Sequence, residues 1–505
     1  MAFAPIFTVE SIRAIEARAG ERLTACSAGS PGTNPGDSFE VDSLMLRAGT
    51  AAAGHALAYR TAARPGRLLA LAGPGNNGGD AIVAACALRR QGVPVDLHLL
   101  GDQGSLPREA AAAAQRWQSM GGSFIETLPM RPPSLVLDGL FGIGLTRPIE
   151  GDAARLIDAV HAWCCPVLAL DIPSGIQGDT GARLGCAIRA AATLTFIGLK
   201  PGLLTLDGPD HSGTIAVAPI GIDEATRGTP DGFLIDKAVL PLLRSPRPRN
   251  FHKGHAGTVG IIGGATGMTG AALLAGRAAL RTGAGKVLVG MVAHEHPALD
   301  LLAPELMLIA PALGIAEAST IAIGPGLGSS RRAQALLAEA IARPVPLVLD
   351  ADALNLLARS PALGTALARR TQATLLTPHP AEAARLLGIH TRAVQANRVA
   401  SALQMAARFN ATVVLKGNGS VVAEQTGPFA IIGSGNPGMA AAGMGDCLTG
   451  IIAALLAQGL DAATAARGGA WLHGAAGDHM AGHAQAVGLC ASELADAARQ
   501  LLNAD

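Results

Sequence analysis

Two segments of the chain combine glycine, amide and carboxylate residues at spacings that suit phosphate-bearing ligands and proton transfer. The first, GPGNNGGD (73–80), sets Gly73, Gly75 and Gly78 in a GxGxxG spacing after an apolar run and before an alanine-rich stretch. Backbone amides there can face a phosphate at a helix start. As a dinucleotide fingerprint the spacing is weak, because Asp96, the candidate ribose-binding acid, falls inside a strand pattern and not at its end. The second, GMGD (443–446), opens a long apolar stretch. Glycine lets phosphate oxygens approach closely, and the helix dipole adds partial positive charge. A carboxylate beside such an anion hole makes sense if Asp446 takes a proton from an attacking hydroxyl, which is the arrangement of phosphoryl transfer. The alternative is that Asp446 is a plain N-cap.

Two further apolar runs end in polar groups: Asp138 in DGLFGIGLTRP, and Asp171 with Ser174 in DIPSG. In a parallel sheet the strand C-termini converge on one crevice. Asn77, Asp138 and Ser174 would there offer oxygens only, which suits a hard cation and not zinc. Each could instead cap a turn or helix. No GxxxxGK[ST] loop is present; GAGKV (283–287) lacks the upstream glycine and the hydroxyl. His479 and His483 share a helical face in HMAGH, but the glutamate of a zinc motif is missing, so a packed or solvated helix face is expected.

These residues need a scaffold, and the chain is long enough for two. At 505 residues it exceeds what one hydrophobic core usually supports. Strand-like runs at 67–73, 95–101, 134–140 and 165–173 alternate with alanine-rich helical stretches, which implies βαβ units around a parallel sheet. The pattern lapses between Asp223 and Asn250, where a domain boundary is expected. A second series follows at 258–264, 286–292, 320–326, 346–352, 373–379 and 411–417. Residues 25–38, rich in Gly, Pro and Ser, read as a surface loop.

Composition narrows the partners. Aromatic residues are 3% of the chain, and 39 basic residues balance 38 acidic ones, so neither stacking platforms nor a cationic field exists for nucleic acid. No apolar run reaches the roughly 18 residues of a membrane span, and the N-terminus does not read as a secretory signal. Seven scattered cysteines without a CxxC pair imply a reducing, cytoplasmic setting. A homo-oligomer is expected.

The first half resembles the YjeF N-terminal family of NAD(P)H-hydrate epimerases through NNGGD (76–80), LFGIGLTRP (140–148) and DIPSG (171–175), over roughly residues 8–222. That resemblance implies potassium at Asn77, Asp138 and Ser174. It implies contact with the hydrated cofactor by Asn76, Asn77, Gly78, Gly79 and Asp80, by Gly142, Ile143, Gly144, Leu145, Thr146, Arg147 and Pro148, and by Asp171. The departures are Ala81, where the family repeats glycine, and LMLRAG (44–49), which lacks the family's acidic residue.

The second half is similar to the ribokinase-like superfamily and, more closely, to ADP-dependent NAD(P)H-hydrate dehydratases, over nearly all of residues 236–505. The matching stretches are 252–285, IGPGLG (323–328), TPHPAEAARLLG (377–388), LKGNGSVVA (415–423) and 435–459. The family implies nucleotide contact by Lys416, Gly417, Asn418, Gly419, Ser420 and Gly445, and hydrated-cofactor contact by Ala271, Gly326, His379 and Asp446. Ala381, Ser420 and Met444 depart from its commonest pattern. His379 could instead be a turn histidine.

The expected fold is therefore α/β in two domains: an N-terminal Rossmann-like three-layer αβα epimerase domain (1–224) and a C-terminal ribokinase-like dehydratase domain (230–505). The chemistry implied is metabolite repair of hydrated NADH and NADPH. Asp171 is the candidate epimerase acid or base, or else a group that orients ribose or amide. At Asp446 the substrate hydroxyl would receive a phosphoryl group from ADP with Mg²⁺ as charge bridge, and phosphate, a better leaving group than hydroxide, would then depart. The rival reading is a small-molecule, vitamin-precursor kinase of the ribokinase class with a non-catalytic N-terminal binding module.

Overall fold

The computed structural model describes residues 3–28, 43–59, 66–244, 246–482 and 487–504. The chain divides into two compact units, Ala4–Asp231 and Gly232–Asp505, the latter together with Phe3. His483 and most of the glycine-rich segment 25–38 lie outside the described residues. Residues 25–28, expected in a loop, instead complete the helix Val9–Ala28.

In the N-terminal unit the strands are β1 (Leu68–Ala72), β2 (Val95–Leu99), β3 (Leu135–Gly139), β4 (Val167–Leu170), β5 (Ala192–Phe196) and β6 (Thr214–Ala218). They form one parallel sheet in the order β2-β1-β3-β4-β5-β6. Successive side chains of β1 serve opposite cores: Leu68, Ala70 and Ala72 pack with Ile82 and Leu88, whereas Leu69 and Leu71 pack with Ile157 and Val160. Both faces are thus covered by helices, which is the three-layer arrangement expected. The strand order reverses between β1 and β3, and the crevice beyond the carboxyl ends at such a switch point is where ligands bind in this architecture.

The strands of the C-terminal unit are β7 (Gly232–Ile235), β8 (Thr258–Gly263), β9 (Lys286–Met291), β10 (Met307–Ile309), β11 (Thr320–Ile323), β12 (Leu347–Leu349), β13 (Thr374–Leu376), β14 (Thr412–Leu415), β15 (Val421–Ala423) and β16 (Phe429–Ile432). Their order is β7-β16-β15-β14-β13-β12-β11-β8-β9-β10. Only β15 runs antiparallel to its neighbours. Here too both faces are buried: Ile321 and Ile323 of β11 pack with Leu337, and Ala322 between them packs in the cluster of Ile451 and Leu455. The switch point lies between β8 and β11.

The segment 223–250, where the apolar pattern lapses, carries more structure than a linker. Asp223 caps the short helix Glu224–Arg227 by accepting from the Thr226 amide, and β7 pairs in parallel with β16. Four residues flanked by Pro230-Asp231 and Asp236 are too few to show a period, so the strand leaves little mark on the sequence.

Candidate active sites

In the N-terminal unit the glycine turn after β1 runs into the helix Asn76–Arg90, whose N-cap is Gly75. A Cβ at Gly73 would fall 1.7 Å from the Leu140 carbonyl oxygen, and one at Gly78 would fall 2.0 Å from that of Gly73. Only glycine lets the turn lie against the loop after β3. Gly79 is equally confined, its ideal Cβ 2.5 Å from Met45 Cε. Asn76 remains exposed at the helix start, where free amides face the crevice.

That loop carries the second expected contact segment. Gly142 sits beside Asn77, its ideal Cβ 3.2 Å from the Asn77 Cβ. Gly144, Thr146, Arg147 and Pro148 are exposed, and Ile143 is half-buried against Ile172 and Ile176. Leu145 packs into the core with Ile149 and Ile157, so its side chain is turned from any ligand and only its backbone is available.

Of the three expected cation ligands, Asp138 and Ser174 meet at the ends of β3 and β4, and Asn77 lies beside Gly142 in the loop after β3. Asp138 is fully buried; its Oδ2 accepts from the Ser174 amide at 2.8 Å and its Oδ1 from Ser174 Oγ at 2.6 Å. Burial pushes the Asp138 carboxyl up to about 6 despite these donors. Asn77 is also buried, and neither its amide nitrogen nor its Oδ1 has a hydrogen-bond partner. A buried, unsatisfied amide oxygen is costly as it stands and suits an oxygen-ligated monovalent cation. The residues present fit potassium.

Asp171 follows β4 with φ at +65°, a left-handed conformation that a non-glycine residue adopts at a cost. Its Oδ1 accepts from Thr195 Oγ1 at 3.3 Å and from the Phe196 amide at 3.2 Å, and forms an ion pair with Lys200 Nζ. Lys200 is fully buried and also donates to Thr195 Oγ1 and the Phe196 carbonyl, both at 2.8 Å. No sequence motif marked Lys200. Asp80 and Glu16 stand near enough for their charges to act on this pair. Burial pushes Asp80 well above the usual carboxylate range, and the charges of Asp171, Glu16 and Glu109 push it further.

In the C-terminal unit the helix Met444–Ala457 begins at Gly443, whose φ of +86° is left-handed and whose Cβ would fall 2.6 Å from Leu274 Cδ1. The N-cap is Gly443, and Asp446 stands inside the first turn, so the plain N-cap reading does not hold. Its carboxyl is pushed up to about 7, first by burial and then by the charge of Asp350, with Lys416 pulling the other way. Lys416 Nζ donates to Asp350 Oδ1 at 2.7 Å, and Asp350 Oδ2 accepts from Thr449 Oγ1 at 2.8 Å. Burial pushes the Lys416 ammonium down, but Asp350 and Glu382 outweigh it and hold it above its ordinary value. A Cβ at Gly445 would lie 3.2 Å from Lys416 Nζ, so helix start and ammonium face the same spot.

The remaining expected contacts border this cluster. The turn after β11 presses Gly324 against the Asp350 backbone, and a Cβ at Gly326 would lie 3.2 Å from that of Ala271. Both glycines have positive φ, +133° and +57°. His379 is the N-cap of the helix Pro380–Leu387: its Nδ1 accepts from the Ala381 amide at 3.1 Å, and Glu382 closes a capping box. Burial lowers its pKa, with the Lys416 charge adding to that. The turn-histidine role is therefore real, and Nε2, 3.3 Å from Glu382 Oε1, is the edge left to meet a ligand. In the loop after β14, Ser420 Oγ bonds the Gly417 carbonyl at 3.0 Å, and Gly417 rests on the buried Arg398 guanidinium, which also braces the Leu415 carbonyl. Asn418 and Gly419 complete that loop.

Asp350, Thr449 and Arg398 went unmarked in the sequence. Asp350 was discoverable, since PLVLDAD ends in an acid as the runs before Asp138 and Asp171 do. His479 is an exposed helix residue bonded to Gln500 Oε1 at 3.2 Å. Among the described residues no trio of His, Cys, Asp or Glu could hold a metal, and no helix is long and apolar enough to cross a membrane.

Each unit thus places carboxyl, amide and ammonium groups beyond the strand ends of a parallel sheet, next to a glycine-led helix start. That defines a two-domain α/β enzyme with one site per domain. The family model described as YjeF-related protein N-terminus matches residues 41–202, and the model described as NAD(P)H-hydrate dehydratase matches residues 259–500. Proteins named bifunctional NAD(P)H-hydrate repair enzyme Nnr are 38% identical in Coxiella burnetii (91% of this chain, 94% of that protein) and 38% identical in Escherichia coli (91% and 89%). The crystal structure of an ADP/ATP-dependent NAD(P)H-hydrate dehydratase from Bacillus subtilis, co-crystallised with ATP and Mg²⁺, aligns with 52% of this chain and 94% of its own, at 32% identity and a TM-score of 0.47. The chain belongs to the family of bifunctional NAD(P)H-hydrate repair enzymes.

Proposed function

We propose that the N-terminal site interconverts the R and S epimers of hydrated NADH and NADPH, and that the C-terminal site dehydrates the S epimer with ADP as phosphoryl donor, releasing AMP and phosphate. The observation that carries this is the state of Asp446: partly buried at a glycine-led helix start, free of capping duty, and pushed up to about 7. A carboxylate tuned to neutral pH is suited to take the proton of a substrate hydroxyl. The oxygen then attacks the terminal phosphorus of ADP. Phosphate subsequently leaves as the ring nitrogen's lone pair moves toward the carbon, and loss of a proton restores the dihydropyridine.

In this reading Lys416, Gly417, Asn418, Gly419, Ser420 and Gly445 hold the nucleotide, while Ala271, Gly326 and His379 border the hydrated cofactor. Mg²⁺ bound to the phosphates would supply charge neutralisation. The charges of Asp350, Asp352 and Glu382 all act on Asp446 against the one ammonium of Lys416, an excess of negative charge that a cation carried in on the phosphates would offset. In the other domain Asn77, Asp138 and Ser174 would hold potassium, whose charge would organise the loops beneath the substrate. Asn76 to Asp80 and Gly142 to Pro148 embrace the cofactor, with Asp171 as acid or base. Phosphorylation is specific for one epimer, so an attached epimerase lets one chain clear both. The cysteines Cys86, Cys164, Cys165, Cys186, Cys447 and Cys490 form no disulfide among the described residues, which suits a reducing cytoplasmic setting, and assembly as a homo-oligomer belongs to the same reading.

The test is incubation with ADP and mixed epimers of hydrated NADH while following the near-ultraviolet absorbance of the dihydronicotinamide. Full recovery with AMP formed in equal amount is expected. A stable phosphoester without recovery would make the protein a kinase.

A further inference from the structure

One helix, Ala462–Ala481, ties down both ends of the segment that runs from β16 to the helix start carrying Asp446. Asp478 accepts from the Gly435 amide and from Asn436 Nδ2, both at 2.9 Å, and the Trp471 carbonyl accepts from Ser434 Oγ at 2.8 Å. Gly474 and Gly477 leave room for the segment: a Cβ would fall 2.5 Å from Ser434 Oγ at the first and 2.3 Å from Met439 Sδ at the second. At the far end, His473 Nε2 lies 2.8 Å from the Met444 carbonyl oxygen. Residues 473, 474, 477 and 478 share one face of the helix, so these contacts have a common rigid support.

A carbonyl oxygen only accepts, so Nε2 carries the proton in the His473–Met444 bond. Burial, opposed in part by that bond, pushes the imidazole down to about 4, so the donor is neutral near pH 7 and adds no second positive charge beside Lys416. The Met444 carbonyl and the Gly445 N–H belong to one peptide plane and point in opposite directions. Fixing the oxygen therefore fixes the amide, and a donor to the oxygen polarises the N–H. The Gly445 amide is among the first of its helix, which have no intrahelical acceptor, and it finds none elsewhere among the described residues. An extra brace matters at this peptide because the turn is terminal, where helices fray, and because Gly443 and Gly445 flank Met444 with no side chain to limit their rotation.

We propose that His473 is a positioning residue of the dehydratase: by holding the Met444 carbonyl it aims the Gly445 amide at a phosphate oxygen of the nucleotide. Lys416 Nζ serves the same spot, 3.2 Å from where a Gly445 Cβ would stand. The amide donates to the phosphate in the bound state and gains strength as negative charge gathers on the transferred group. His473 acts through the peptide and transfers no proton.

This role rests on the dehydratase reading, and one set of measurements separates their failures. ADP affinity by calorimetry, and kcat and KM for the S epimer, are compared for wild type, His473→Leu and His473→Gln, with thermal unfolding and epimer interconversion as checks of folding. Leucine fills the space without a donor, whereas the glutamine amide nitrogen takes the place of Nε2. His473→Leu should weaken ADP binding about 10-fold and lower kcat about 10- to 100-fold, with KM for the S epimer changed less than about threefold. His473→Gln should bring ADP affinity and kcat back to within about threefold of wild type. Wild-type ADP affinity and kcat in His473→Leu would overturn the proposal. So would a glutamine variant as poor as the leucine one, or equal losses of ADP and S-epimer binding, since either would mean that His473 only packs. Wild type that binds ADP but never restores the dihydronicotinamide would instead remove the dehydratase reading, and the ADP affinities of the variants would still decide whether His473 aims the amide.

Discussion

Lys416 holds Asp350 by a 2.7 Å ion pair, while Asp446, acted on by both charges, has no hydrogen-bonding partner among the described residues. The ammonium is therefore spent on the neighbouring carboxylate, and burial together with Asp350 pushes Asp446 up to about 7. A general base must be ionised, so kcat/KM for ADP-dependent dehydration should rise as pH increases through about 7 and then level. Initial rates at low substrate check this. A profile flat from about pH 6 to 8 would remove Asp446 as the base.

The same carboxyl should cost stability. Its native pKa lies above the unfolded value of about 3.9, so the penalty grows from about pH 4 and is complete above about 7. Asp446→Asn should therefore unfold at a higher temperature than wild type at pH 8, by a margin that shrinks as pH falls toward 4. Calorimetry of the two proteins at both pH values measures the difference. Equal midpoints at pH 8 would mean that Asp446 is better solvated than its surroundings imply.

Lys416→Met should be costly in two ways. Asp350 is almost fully buried and would keep only Thr449 as a side-chain donor, a loss of about 3 kcal/mol. Without the ammonium the pH limb for Asp446 should also move upward. Denaturant unfolding and the pH profile read the two effects separately.

Potassium should stabilise the N-terminal unit more than sodium does, because Asn77 Oδ1 is buried with no hydrogen-bond donor and the Asp138 carboxylate is fully buried. At a concentration 100 times the dissociation constant the gain is about 2.7 kcal/mol. Asn77→Ala should abolish the difference between the two salts. A wild-type midpoint indifferent to the choice of ion would argue that the three ligands only cap turns.

Much of this fold was legible because buried parallel strands are written as continuous apolar runs: Leu68–Ala72 and Leu135–Gly139 have every residue buried and stand out as such. Short strands were not. Gly232–Ile235 and the antiparallel pair Val421–Ala423 and Phe429–Ile432 have three or four residues each, too few to carry a period, and gain their identity from neighbours far along the chain. The sites divide the same way. Asn77, Asp138, Ser174 and Asp446 sit in glycine-rich or strand-end motifs whose spacing is local. Lys200 and Arg398 do their work through partners many residues away, and a lone basic residue gives no sign that it will be buried against them. Leu145 shows the converse: within a contact segment one side chain can still belong to the core.

The measurement that bears most directly on the central claim is the rate of ADP-dependent conversion of the S epimer by Asp446→Asn. If Asp446 activates the substrate hydroxyl, that rate should fall by a factor of about 10² to 10⁴ while interconversion of the epimers continues at the wild-type rate. Dehydration at an unchanged rate, or loss of both activities together in a folded protein, would contradict the account.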